Sequence, residues 1–171
     1  GAGYVDKEFE AVGVPKAERG PRLSESIQVL EHLFDGTASF DGRFHSFTDV
    51  RIDPVPDDPP QILVGGKSTS TDDGYRFPKP VLDRIVDAGG WIASPAQPDQ
   101  LAEEWELIAD HASENGVDPD DIDCALFNNT YLVEGDDRED ALQEQRRVFE
   151  DYYEPVRGWS YAEEYALVGT L

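Results

Sequence analysis

Gln61-Ile62-Leu63-Val64-Gly65-Gly66-Lys67-Ser68 decides how the rest of the chain is read. Ile62, Leu63 and Val64 form a short apolar run without polar alternation, the pattern of a strand buried on both faces. The glycines after it end such a strand, and paired glycines leave backbone N–H groups able to face an anion. These residues alone allow two readings: a phosphate cradle, or a plain turn using the conformational freedom of glycine.

Strand and helix signals alternate downstream. Pro80 opens a helix with Val81, Leu82, Ile85 and Val86 on one face, and Gly89-Gly90 ends it before a strand at Trp91-Ile92-Ala93. Pro98-Asp99 starts the next helix, whose stripe is Leu101, Trp105, Ile108 and Ala112, and Gly116 closes it. Ile122 to Val133 is the longest strand candidate, interrupted by Asn128-Asn129-Thr130. Buried amides there need partners, so either one of them faces a cavity or the run is an exposed edge or a hydrogen-bonded interior. Asp136 with Glu139 has capping-box spacing before a helix carrying Leu142, Val148, Phe149 and Tyr152.

Upstream, Gly1-Ala2-Gly3-Tyr4 reads as the end of a strand, and Leu23, Ile27, Leu30 and Phe34 as a helix stripe following Pro21. Asp41-Gly42 has the chemistry of a tight hairpin turn, and the proline-rich stretch 53–60 reads as an extended connector. Strands joined through helices rather than hairpins pair in parallel through crossovers, so the expected class is α/β.

Thirty-seven acidic against fourteen basic residues give a formal charge of −23. Such a chain repels phosphate backbones and anionic lipid, which argues against nucleic acid and membrane as partners. The acids are spread along the chain between apolar periodicities, the habit of a folded protein working in high salt, where the Debye length shrinks to about 3 Å at 1 M. No apolar run approaches the roughly 18 residues of a membrane span. Cys124, the single cysteine, sits in an apolar segment, reads as core and allows no internal disulfide, so the expected compartment is the cytoplasm. His32, His45 and His111 are scattered, and the Asp pairs lack calcium-loop spacing, so no metal site is expected.

The series Gly1-Ala2-Gly3-Tyr4, Glu18-Arg19-Gly20 with Arg22 and Glu25, Phe40-Asp41-Gly42-Arg43-Phe44-His45-Ser46-Phe47, Pro54-Val55-Pro56, Pro60 to Gly66, Gly90-Trp91, Glu164-Tyr165-Ala166 and Leu167-Val168-Gly169-Thr170 covers nearly the whole chain. In that order it resembles the luciferase-like monooxygenases, including the coenzyme F420-dependent oxidoreductases. The resemblance implies a partial (β/α)8 TIM barrel, a single incomplete domain over 1–171 running from about the end of strand four to just before strand eight. The opening at Gly1, the absence of methionine and a length of 171 residues against about 250 for a complete barrel fit that expectation.

The resemblance further implies F420 or FMN at the carboxyl ends of the strands, with its phosphate beside Gly65, Gly66, Lys67 and Ser68. Tyr4 and Asn128 are expected to line the substrate or cofactor pocket, Trp91 to pack, and Arg19, Arg22 and Glu25 to form an ion-pair cluster. The expected function is hydride transfer or oxygenation of a small organic substrate by a homo-oligomeric oxidoreductase, this segment alone being inactive. The rival reading is a non-catalytic binding or assembly module that keeps part of the barrel.

Overall fold

The computed structural model describes residues 1–128, 130–133, 137–153, 158–165 and 167–170. Helix α1 (Asp6–Val12) ends at Gly13 in the left-handed conformation, and a 3-10 turn leads into α2 (Arg19–Phe34). Strands β1 (Thr37–Asp41) and β2 (Ser46–Arg51) form an antiparallel hairpin whose loop is Gly42–His45, two residues longer than a tight Asp-Gly turn. Three parallel strands follow: β3 (Val64–Gly66), β6 (Gly90–Ala93) and β7 (Asp123–Leu126), in the order β3-β6-β7. Helices α3 (Lys79–Ala88) and α4 (Pro98–Glu114) connect them. Between β3 and α3 lies a small hairpin, β4 (Thr69–Thr71) with β5 (Gly74–Arg76). Beyond β7 come β8 (Thr130–Val133), α5 (Arg138–Tyr153), α6 (Trp159–Tyr165) and β9 (Leu167–Thr170), with β8 parallel to β9. The class is α/β with parallel strands alternating with helices, as the sequence led one to expect.

The core lies where α3 and α4 cover β3 and β6. Ile85 and Ile108 are fully buried and Trp91 nearly so, with Val64, Phe77, Ala93 and Ala112 around them. Burial of this kind stabilises by about 25 cal/mol per Å² of apolar surface removed from water. Phe77 meets Trp91 edge-on at 6.3 Å between ring centroids, and the Trp91 indole N–H donates to the Gly66 carbonyl at 3.2 Å.

Four details depart from the sequence reading. The ladder of β3 runs over Val64–Gly66 rather than Ile62–Val64, because the turn at Gly89-Gly90 occupies the space beside the earlier residues. A Cβ on Gly90 would meet Leu63 at 2.6 Å and the Ile62 carbonyl at 2.7 Å, and the Gln61 amide donates to the carbonyls of Ala88 and Gly89. Pairing therefore starts at Val64, and both glycines are rungs of the strand. Residues 1–4 make no ladder, although Gly1 lies against Gly65. The run 122–133 holds two strands in different sheets, Asp123–Leu126 and Thr130–Val133, with Phe127 and Asn128 outside both. Cys124 is exposed rather than core, as are Asp123 and Leu126 of the same strand, because the core lies where α3 and α4 cover β3 and β6. Asn129 and Asp136 lie outside the described residues; Asp137 caps α5 by accepting from the backbone N–H groups of Glu139 and Asp140.

Candidate functional site

Because β3, β6 and β7 are parallel, their carboxyl ends share one edge of the sheet, the edge where ligands sit in parallel α/β folds. Gly65 to Ser68 leave it from β3, and Asn128 follows β7, two strand spacings or roughly 10 Å across. Gly65 and Gly66 use their missing side chains differently. A Cβ on Gly66 would meet Val81 Cγ1 at 2.6 Å, with Ile85 and Phe77 behind it, so that face is filled by α3. A Cβ on Gly65 would meet the Gly1 backbone at 3.5 Å and Ile92 at 3.8 Å, which is ordinary contact.

Lys67 is exposed beyond the strand end. Ser68 is buried, and its hydroxyl donates to Glu104 Oε1 at 2.5 Å. Tyr4 is 54 % exposed, whereas Asn128 is half-buried. The expected Arg19–Arg22–Glu25 cluster separates. Arg22 pairs with Glu18 at 2.8 Å, Arg19 donates to the Lys16 carbonyl, and Glu25 turns to the hairpin. There it accepts from the backbone N–H groups of Arg43, Phe44 and His45 at 2.9, 2.7 and 2.6 Å.

A cleft of about 450 Å³ opens where the first turns of α2 and α3 meet. Arg19 and Gly20 supply one wall, Pro78, Val81 and Arg84 the other, and Ala2 closes the end nearest the strand. Val81, a wall residue of this cleft, packs on Gly66 and so joins the cleft to the glycine end of β3. Neither helix carries a side-chain cap at its N-terminus. Few first-turn N–H groups are free to replace a cap, because the Arg19 N–H donates to the Lys16 carbonyl, the Val81 N–H donates to the Pro78 carbonyl, and Pro21 and Pro80 have no N–H, so the positive charge here is that of side chains, beginning with Arg19. Arg84 adds a full charge. Its Nη1 donates to the Ser24 hydroxyl at 3.1 Å, while its Nε is buried with no partner among the described residues. Burial pulls the guanidinium below its usual pKa, against the opposing pull of Asp83, yet an arginine stays charged at any physiological pH.

In a chain of charge −23 this is a locally cationic cleft, with a charged donor lacking its acceptor. It suits a phosphate or similar anion. Sequence reading gave Arg19 a structural role and passed over Arg84. The available signal was a cation three residues after Val81, on the flank of an otherwise apolar stripe.

The sequence model of the luciferase-like monooxygenases matches residues 1–169. An uncharacterised protein of Mycobacterium tuberculosis is 32 % identical over 96 residues, covering 56 % of this chain and 30 % of its own length. The pyrimidine monooxygenase RutA of Cronobacter turicensis is 29 % identical over 119 residues, 66 % of this chain and 31 % of that protein. Among solved structures, the monooxygenase RslO1 from Streptomyces bottropensis superimposes with a TM-score of 0.62 at 25 % identity, over 87 % of this chain and 44 % of that one. DmoA from Hyphomicrobium sulfonivorans shares the fold at a TM-score of 0.53 and 16 % identity, over 87 % of this chain and 35 % of its own. The chain thus spans just under a third of the length of the curated relatives it matches. With a family match over nearly every residue and a parallel α/β framework like that of these enzymes, the chain belongs to the luciferase-like monooxygenase family.

Proposed function

We infer that residues 1–171 are part of the barrel domain of a cytoplasmic oxidoreductase that uses FMN or F420 to transfer hydride to, or oxygenate, a small organic substrate. The observation that carries this reading is the cationic cleft between α2 and α3 beside the glycine end of β3. When bound, the cofactor ring would supply the redox chemistry. The chain's own part is to hold and orient it. Arg84 and Arg19 would neutralise the cofactor phosphate. Gly65 keeps the strand end free of a side chain beneath it, Gly66 lets Val81 of the cleft wall pack against the strand, and Lys67 adds charge at the rim. Ser68 supports the loop from behind. Tyr4 and Asn128, at the same edge, would line the pocket toward the ring and the substrate. Leu126 at the end of β7 and Phe127 just past it, each about half exposed, support self-association of the chain.

Fluorescence titration of the intact protein with FMN and F420 tests the reading, with circular dichroism as the folding control. Arg84→Met should weaken the preferred cofactor by about tenfold or more, the worth of a charge-assisted contact to phosphate. Gly65→Val should weaken it too, by placing a side chain at the strand end. Folded variants that bind as the parent does would remove this cleft from the site, and a parent that binds neither cofactor would favour an assembly module.

A further inference from the structure

Glu104 is 1 % exposed in the middle of α4, and no salt bridge reaches it from any described lysine, arginine or histidine. Its Oε1 accepts two hydrogen bonds, from the Ser68 hydroxyl at 2.5 Å and from Gln100 Nε2 at 2.9 Å. Ser68 and Gln100 are themselves more than nine-tenths buried. Burying a carboxylate with neutral donors alone is costly, and a hydrocarbon side chain of similar size would commonly be neutral or better for stability. Something other than packing has to make the acid useful at this point.

Its location suggests what. Ser68 is the second residue after the β3 ladder and the last before the β4–β5 hairpin. From Ser68 the chain makes that hairpin against α4, buries Phe77 on Trp91, and enters α3 at Pro78, which walls the cationic cleft. The hairpin is short, and all three residues of β4 are exposed, so it has little apolar surface to fix its own position. The Ser68–Glu104 bond is the buried polar tie at the root of this excursion.

We propose that Glu104 is a positioning residue: by holding Ser68 it fixes the segment 67–77 between β3 and α3, and through it the α3 wall of the cofactor cleft. The inference rests on the proposed cofactor site for its functional consequence and on the hydrogen bonds alone for its structural one. A carboxylate suits the task because one oxygen accepts from two donors at once, tying α4 to the loop and to its own first turn together.

Three variants of the intact protein, Glu104→Gln, Glu104→Leu and Ser68→Ala, separate the possibilities when followed by cofactor titration and amide hydrogen exchange. Glu104→Gln keeps an acceptor oxygen in place, so it should retain parental affinity and parental protection at 67–77. Glu104→Leu keeps the volume and loses the acceptor. It should speed exchange selectively at 67–77 and weaken FMN or F420 by about tenfold, with Ser68→Ala moving both readouts the same way. Parental exchange at 67–77 in both Glu104→Leu and Ser68→Ala overturns the proposal. If the parent binds neither cofactor, the proposed site fails, and selective exchange with rescue by glutamine still decides whether Glu104 holds the segment. Faster exchange in Glu104→Leu without a loss of affinity, in a protein that does bind, would limit Glu104 to the fold and overturn its tie to the cleft.

Discussion

At two positions the cost of a single substitution follows directly from what surrounds the residue. Gly65 and Gly66 look interchangeable, yet only Gly66 has its missing Cβ filled by α3, with Val81 Cγ1 at 2.6 Å from the position a Cβ would take. Gly66→Ala should therefore cost about 1–3 kcal/mol, the range for overpacking a core, whereas Gly65→Ala should leave folding nearly unchanged. Urea denaturation of the two variants checks this, and equal midpoints would show that Val81 yields freely. Glu25 is the second case. Desolvation raises its pKa, but the backbone N–H of Phe44, the His45 ring and the other loop N–H groups together outweigh it and hold the carboxyl below its usual 4.5. The stabilisation is thus present above pH 4.5 and drains away as pH falls through the lower folded value. Glu25→Gln should flatten that acid limb of the stability profile, measured as thermal midpoint against pH between 3 and 6. The same geometry explains Gly42, where a Cβ would strike Glu25 Cδ at 2.6 Å.

Among the elements, the parallel ladder and its covering helices are coupled through Trp91. Trp91→Phe keeps the ring against Phe77 but withdraws the donor from the Gly66 carbonyl, at an expected cost of about 1 kcal/mol. Trp91→Ala also empties the core there and should cost about 3–5 kcal/mol. Denaturant midpoints that rank the two in reverse would contradict this packing. Helices α3 and α4 were legible from sequence because each pairs a proline start with a three-to-four-residue apolar stripe and a glycine stop. The β4–β5 hairpin was not: Thr69 to Gly74 is polar throughout and lies on the surface, so no alternation marks it. The end of β3 was misplaced by two residues because pairing is set by the Gly89-Gly90 turn, a contact distant in sequence. Of the site, the glycine end was visible as a motif. The cleft was not, since it arises where the N-termini of α2 and α3 meet, and Arg84 gains its meaning only when Gly20 lies beside it. Glu104 was hidden for the same reason, one acid among thirty-seven until burial singles it out.

At the scale of the whole molecule, charge decides the response to salt. Screening weakens attraction and repulsion alike, so the sign follows from which is larger. The attractive side includes the i,i+4 pairs Arg22–Glu18, Lys79–Asp83 and Arg146–Glu150, each worth about 0.2–0.5 kcal/mol. Fourteen cations cannot pair thirty-seven acids, and the excess of twenty-three negative charges repels itself across one small surface. Repulsion should win. The thermal midpoint is expected to climb from dilute buffer to molar potassium chloride and to level off as the Debye length falls toward about 3 Å, below the spacing of neighbouring surface charges. Sucrose strengthens burial by exclusion without screening and serves as the control. A midpoint that rises equally in sucrose would trace the gain to solvent exclusion, and one that is flat or falls in potassium chloride would mean that the acidic surface has its charges already compensated in the folded state.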